Sequence, residues 1–461
     1  MSNTRKDTIC AIATAQGGAI GLIRVSGPNA IASTSSIFCP VKVGKLLEDC
    51  PPYSLTYGHI FDGNGEMVDE VMVSLFRTPH SYTGEDSTEI ACHGSPYILQ
   101  RVMHLLIAQG CRLAQPGEYT QRAFMNGKMD LSQAEAVADL IASTSAATHR
   151  LAMNQMRGGF SQQLANLRDQ LLHFTSLIEL ELDFSDHEDL EFADRKELHQ
   201  LANKIAMIIK QLAESFQVGN AFKHGVPVAI IGETNAGKST LLNALLGEDR
   251  AIVSEVSGTT RDVIEDTVSI EGITFRFIDT AGIRQTTDTI ETLGIERTFQ
   301  KIDQASIVLW MLDAICAEEQ FATLQAQILP HCQDKQLILV FNKEDLANIS
   351  HNQIDKSIPS ITISAKQGTH LDELRHMLVE AAHLPVISQG DVIVTNVRHY
   401  EALTLAMEAI LRVQAGLDAN LSGDFLAQDI RECIHHLSDI VGEVTTDQVL
   451  HNIFAHFCIG K

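Results

Sequence analysis

At 461 residues, with a formal charge of −24 and 45% apolar side chains, the chain is long enough for about three domains with ordinary buried cores. Its acidity opposes unaided binding to a nucleic-acid backbone, because neutralising phosphates takes clustered Lys and Arg. No apolar run reaches the ~18 to 20 residues of a membrane-spanning helix; the longest, near Ala305 to Ala317, is interrupted by Asp313, so no membrane association is expected.

Arg5 and Lys6 followed by Ile9 to Ala15 mimic a signal peptide, but Asp7 and the shortness of the apolar stretch favour a first β-strand. Residues 1–118, with Gly, Pro and alternating patterns such as Val71 to Phe76, read as an α+β domain. Seven of the eleven prolines lie at or before Pro116, and none follows until Pro227. That Pro-free stretch, 119–221, reads as helix, with apolar residues at helical spacing in Leu164, Leu167, Leu171, Leu172, Phe174 and Ile178.

Residues 222–383 alternate β-branched runs with helical ones. The runs are Val226 to Ile231, Ile273 to Ile278, Ser306 to Leu312, Gln336 to Phe341 and Ile361 to Ser364. This rhythm predicts a doubly wound, mostly parallel sheet. Residues 384–461 are again Pro-poor and helical, as from Tyr400 to Leu417. The simplest architecture is a helical-bundle domain made from both flanks, with the α/β domain inserted into it. Nine scattered cysteines without a Cys-x-x-Cys pair suit reduced thiols in a cytoplasm. Cys92 beside His93, and the pair His435 and His436, lack a second ligand set at zinc spacing, so no transition metal is expected.

The inserted segment carries the chemistry. Gly232-Glu-Thr-Asn-Ala-Gly237-Lys238-Ser239 stands between the strand ending at Ile231 and the helical Leu241 to Leu246, the context a phosphate-binding loop requires. Lys238 supplies charge to the β and γ phosphates, and the Ser239 hydroxyl is placed to ligate Mg²⁺. Asp279-Thr280-Ala281-Gly282 ends a strand, with a carboxylate for the magnesium shell and a glycine N–H for the γ-phosphate. Thr260 is the expected switch threonine on Mg²⁺. Asn342-Lys343-Glu344-Asp345 selects guanine, since the Asp345 carboxylate accepts from both N–H groups on that base edge, and Ser364-Ala365 adds a backbone donor for O6. The nucleotide is therefore GTP. Its expected contacts are Asn235, Ala236, Gly237, Lys238, Ser239, Thr240, Ser254, Glu255, Val256, Ser257, Gly258, Thr259, Thr260, Asp279, Thr280, Ala281, Gly282, Asn342, Lys343, Asp345, Ser364 and Ala365. Ile283 occupies the position where Ras-like enzymes carry the water-orienting glutamine, so the attacking water must be oriented differently.

With these residues in view, the chain resembles the bacterial tRNA modification GTPases of the MnmE (TrmE) family over essentially its whole length. The marks are Gly232 to Ser239 with Asn235, Gly258 to Asp262, Gly84 to Glu89, Pro116 to Phe124 running on through Asp130 to Glu135, and the end Cys458-Ile-Gly-Lys461. The resemblance implies a K⁺-activated GTPase that works with the flavoprotein GidA, also called MnmG. Together they install aminomethyl or carboxymethylaminomethyl groups on C5 of the tRNA wobble uridine. It further implies a homodimer formed by a folate-binding N-terminal domain, and a reduced folate (5-formyl- or 5,10-methylene-tetrahydrofolate) as cofactor. By matching motif, Asn235, Ser254, Val256 and Thr259 hold K⁺; Glu291, twelve residues beyond Asp279, orients water beside catalytic Lys238; and Arg24, Glu89, Lys128 and Lys461 meet folate. Given the charge, the partner supplies much of the grip on tRNA. Glu233 and Thr234 depart from the basic residue and proline that many relatives carry in the phosphate loop. Cys458 mimics a lipidation box that Gly460 and Lys461 fit poorly. The competing reading is a GTP-dependent ribosome-assembly switch, which the negative charge and the lack of a Gly-x-x-Gly loop on a basic tail disfavour.

Overall fold

Alternation in the first strands builds a half-buried sheet. In Met67–Phe76, residues Asp69, Val71, Val73 and Leu75 point inward while Glu70 and Met72 stay exposed, the period-2 pattern of a strand covered on one face. This computed structural model describes residues 7–15, 17–42, 44, 46–183, 195–247, 266–278, 299–346, 357–385, 391–443, 450, 453–455, 457 and 460.

In chain order the first elements are β1 (Ile9–Ile12), β2 (Ile20–Ser26), α1 (Ala30–Ser35), β3 (Phe38–Pro40), β4 (Ser54–Phe61), β5 (Met67–Phe76), β6 (Ser87–His93), α2 (Pro96–Ala108) and β7 (Arg112–Leu113). Their sheet runs β3-β4-β5-β6-β2-β1-β7, antiparallel except where β1 meets β7. Helix α2 starts on Pro96, whose missing N–H costs nothing in a first turn, and buries Leu99, Val102, Met103 and Leu106 at i, i+3, i+4 and i+7. The helical run continues through α3 (Glu118–Met125), α4 (Leu131–Ala142), α5 (Ala146–Met156), α6 (Gly159–Asp183) and α7 (Arg195–His224).

The elements that follow are β8 (Val226–Ile231), α8 (Lys238–Gly247), β9 (Asp266–Ile270), β10 (Ile273–Phe277), β11 (Ile307–Asp313), α9 (Ala317–Ile328), β12 (Gln336–Asn342), β13 (Ser360–Ile363) and α10 (Leu371–Ala381). Here the sheet order is β13-β12-β11-β8-β10-β9, and every pairing is parallel except β10 with the edge strand β9. Six of the seven residues of β11, Ile307 to Leu312, are buried, as expected of a central parallel strand with helices on both faces. The doubly wound sheet anticipated from the β-branched runs is present. Two helices close the chain, α11 (Val397–Asp418) and α12 (Gly423–Val441).

The chain divides into two compact units, one of residues 1–141, 155–195 and 416–461, the other of residues 142–154 and 196–415. In the first, α6 and α12 pair along two apolar seams, Leu164, Leu167, Leu171, Phe174 and Ile178 against Leu426, Ile430, Cys433, Leu437 and Ile440. Arg168, early in α6, pairs with Glu443 just past the end of α12, and Glu179, late in α6, pairs with Arg431 further back in α12, so the two helices run antiparallel. Leu172, expected on the buried stripe, is instead 48% exposed; at 100° per residue it cannot share a face with Leu171. In the second unit, the Phe216 and Tyr400 rings of α7 and α11 stack with centroids 4.6 Å apart. Among the described residues, no helix is long and apolar enough to cross a membrane.

Candidate functional site

The phosphate loop joins the C-terminal end of β8 to the N-terminus of α8, and its turn needs left-handed backbone: φ is +144° at Gly232, +65° at Asn235 and +98° at Gly237. Two glycines are also required by space. A Cβ on Gly232 would lie 2.3 Å from the Met311 carbonyl oxygen, and one on Gly237 would lie 2.1 Å from Nδ2 of Asn342. Lys238 curls back over the loop, its Nζ donating to the Gly232 and Glu233 carbonyls at 2.6 and 2.7 Å. Burial lowers the Lys238 pKa, and the charge of Lys301 adds to this while Glu233 opposes it. An anion seated in the loop opposes that shift. Ser239 is half-buried in the first turn of α8, and Thr240 is exposed.

The strand-end motifs converge on this loop. Asn342, 4% exposed at the end of β12, donates from Nδ2 to the Ala236 carbonyl at 2.8 Å and accepts at Oδ1 from the Ala365 N–H at 3.0 Å. One amide thus joins the phosphate loop to the Ser364-Ala365 turn. Lys343, at φ +74°, donates to Asp313 at 2.5 Å. The Ser364 hydroxyl donates to Oδ1 of Asp345 at 2.7 Å, which fixes the carboxylate orientation. This is the crevice beyond the carboxyl ends of parallel strands where nucleotides bind in open α/β sheets.

The N-terminal residues fall into a separate cluster in the first unit. Arg24 on β2 lies opposite Glu89 on β6 and donates to its Oε1 from Nε at 2.9 Å and Nη2 at 2.8 Å. Nη1 reaches the Gly460 carbonyl at 3.2 Å, bringing the C-terminal end beside the pair. The guanidinium lies 5.5 Å from the Tyr82 ring centre and 5.7 Å from that of Tyr119, within cation–π range. Tyr119 also donates to the Arg24 carbonyl at 2.7 Å. Lys128 takes a different partner, the Pro79 carbonyl at 2.9 Å. Ser254, Glu255, Val256, Ser257, Gly258, Thr259, Thr260, Asp279, Thr280, Ala281, Gly282, Ile283, Glu291, Cys458 and Lys461 lie outside the described residues.

The sequence assigns no site role to three residues that the structure brings to these clusters: Tyr82, Tyr119 and Asp313. Asp313 ends a central strand, a position that could have pointed to it. The tyrosines depend on long-range packing that no local pattern carries.

Residues 8–128 match the model of the GTP-binding protein TrmE N-terminus, and residues 131–458 that of the MnmE helical domain. A tRNA modification GTPase MnmE of Bacteroides fragilis is 71% identical over 465 residues, covering 99% of this chain and 100% of the relative. The chain belongs to the MnmE family of tRNA modification GTPases. Another member, from Flavobacterium johnsoniae, is 50% identical over 466 residues, 99% of each chain. The solved FeoB G domain of Methanococcus jannaschii is 27% identical, with a TM-score of 0.26 over 34% of this chain and 96% of that one. As a member of the MnmE family, the chain is a GTPase of tRNA modification.

Proposed function

We propose that this family member is a K⁺-activated GTP hydrolase that acts as a cytoplasmic homodimer with a GidA/MnmG-type flavoprotein, placing aminomethyl or carboxymethylaminomethyl groups on C5 of the tRNA wobble uridine. The observation that carries the GTPase half is Asn342, whose single amide ties the phosphate loop to the Ser364-Ala365 turn with Asp345 held beside it. In this reading Asp345 accepts from the guanine edge, the Ala365 region faces O6, and Lys238 offsets charge developing on the transferred phosphoryl group. Glu291 accepts a hydrogen bond from the attacking water and aligns it in line with the leaving oxygen.

Among the described residues, Ser239 and Asn235 carry oxygen donors that suit the implied ions. Ser239, half-buried in the first turn of α8, is suited by its hydroxyl to Mg²⁺ together with Thr260. Asn235 stands exposed at φ +65° in the loop, so its side chain is free of the core, and with Ser254, Val256 and Thr259 it offers a neutral oxygen set suited to K⁺. Such ions supply fixed positive charge against the phosphates. The Arg24–Glu89 pair supports the folate reading: both arginine donors land on Oε1, leaving Oε2 of Glu89 for N–H groups of a pteridine ring, with Tyr82 and Tyr119 flanking. Lys128 and Lys461 would meet a glutamyl tail. A reduced folate there supplies the one-carbon unit.

The test is hydrolysis and G-domain association measured side by side in K⁺ and Na⁺. Turnover and association are expected to fall together in Na⁺, and Asn235→Ala is expected to show the Na⁺ behaviour even in saturating K⁺. Glu291→Ala is expected to associate normally with a transition-state analogue yet hydrolyse GTP about 10²-fold more slowly, the usual scale for losing a residue that positions a base or water. Equal turnover in both salts eliminates the cation mechanism.

A further inference from the structure

A chain of hydrogen bonds runs from the phosphate loop to the guanine-selective strand end through a residue that no nucleotide motif contains. Gln320 sits on α9, and its Nε2 donates to Oε2 of Glu233 in the loop at 2.8 Å. Its Oε1 accepts from the Asp313 N–H at 2.9 Å, and the Asp313 carboxylate accepts from Nζ of Lys343 at 2.5 Å. The backbone of Glu233 also accepts from Lys238 at 2.7 Å. Position 320 has to donate on one side and accept on the other, which an amide does and a carboxylate or an ammonium cannot.

We propose that Gln320 is a positioning residue for guanine-nucleotide binding, acting through Glu233 to hold the phosphate loop in register with the Asp313–Lys343 end of the base site. The departure from a basic residue at position 233 then has a function: the acidic side chain supplies the acceptor that Gln320 requires, where a lysine or arginine would meet its amide N–H groups with further donors. The proposal rests on the nucleotide occupying this loop.

The test is calorimetric titration of the full-length protein with GDP, alongside kcat and KM for GTP. Gln320→Ala and Glu233→Ala both remove the Gln320–Glu233 bond, the former also the acceptor for the Asp313 N–H, and each is expected to weaken GDP binding by about three- to tenfold, the scale of one hydrogen bond. The two losses should not add in the double variant, because the residues share one contact. Gln320→Glu sets two carboxylates against each other and is expected to weaken binding by about tenfold or more. The exchange Glu233→Gln with Gln320→Glu restores one donor facing one acceptor, so affinity should return to within about twofold of the starting protein. KM should follow these changes while kcat stays within about twofold. Unchanged affinity in Gln320→Glu, or failure of the exchange to restore it, overturns the proposal. Lys238→Ala separates this from the underlying site reading: if it still binds GDP normally the nucleotide lies elsewhere and both fail, whereas lost binding there with an unaffected Gln320→Glu sinks the clamp alone.

Discussion

Asn342→Ala is expected to lower GTP affinity by about 10²-fold or more. The amide satisfies two backbone groups, the Ala236 carbonyl and the Ala365 N–H, whose residues are 2% and 4% exposed. Leaving a buried backbone donor or acceptor unpaired costs about 1 to 3 kcal/mol each. Part of that cost is relieved when the loop and turn shift apart in the free protein, and GTP then has to bring them back together as it binds. The unrelieved part appears as lost stability, about 2 kcal/mol in urea unfolding. Asn342→Asp is the informative companion: it keeps the acceptor for Ala365 but faces the Ala236 carbonyl with oxygen, so it should rescue little. Calorimetry with GTP analogues gives the answer, and affinity within about threefold of the original protein would show that the two segments hold their places without this side chain.

The second large effect is a change of nucleotide. Asp345→Asn is expected to weaken GTP by at least about 10³-fold and to reverse the preference toward xanthosine triphosphate. The carboxylate, pinned through Oδ1 by the Ser364 hydroxyl, can accept from both guanine N–H groups. An asparagine keeps one acceptor and presents an amide N–H₂, which clashes with a guanine donor but matches the xanthine oxygen. Sites that hydrogen-bond a substrate's polar group reject analogues that leave buried groups unpaired by as much as ~10⁴ to 10⁵. Ser364 adapts to either, because a hydroxyl both donates and accepts. Competition binding of the two triphosphates decides this; a variant that keeps full preference for GTP removes Asp345 from the base-reading role.

What could be read from sequence follows from what constrains each residue locally. The strand expected at Val226 to Ile231 is found with those bounds, and the one at Gln336 to Phe341 gains only Asn342, because a buried parallel strand has to be apolar throughout. β9, Asp266–Ile270, was not anticipated; it is a five-residue edge strand that buries only Val268 and Ile270, so its signal is weak. The phosphate-loop and guanine motifs were legible because phosphate and base each demand particular residue types at particular spacings. Their convergence was not. Asn342 and Ala236 are 106 residues apart, Gln320 and Glu233 are 87 apart, and Arg24 and Glu89 are 65 apart. These meetings depend on strand order and register, here β8 beside β11 beside β12 in one sheet and β2 against β6 in the other. Arg24 and Glu89 entered through family resemblance alone, since an exposed-looking Arg and Glu carry no signature until register sets them opposite each other. The helical domain expected from both flanks has its counterpart in the family's helical-domain match over residues 131–458, while by compactness α6 and α12 fall in the first unit and α7 in the second. Helical spacing reveals which face is apolar but not which element covers it.

The central claim, that GTP turnover in this protein serves modification of the wobble uridine, is tested most directly by mass spectrometry of wobble nucleosides in tRNA from cells lacking the protein and complemented with variants. Loss of the C5 aminomethyl-type nucleosides is predicted in the deletion, with recovery on supplying the original chain and no recovery with Asn342→Ala or Glu291→Ala. A wobble-nucleoside profile that does not change when the protein is removed would contradict the account.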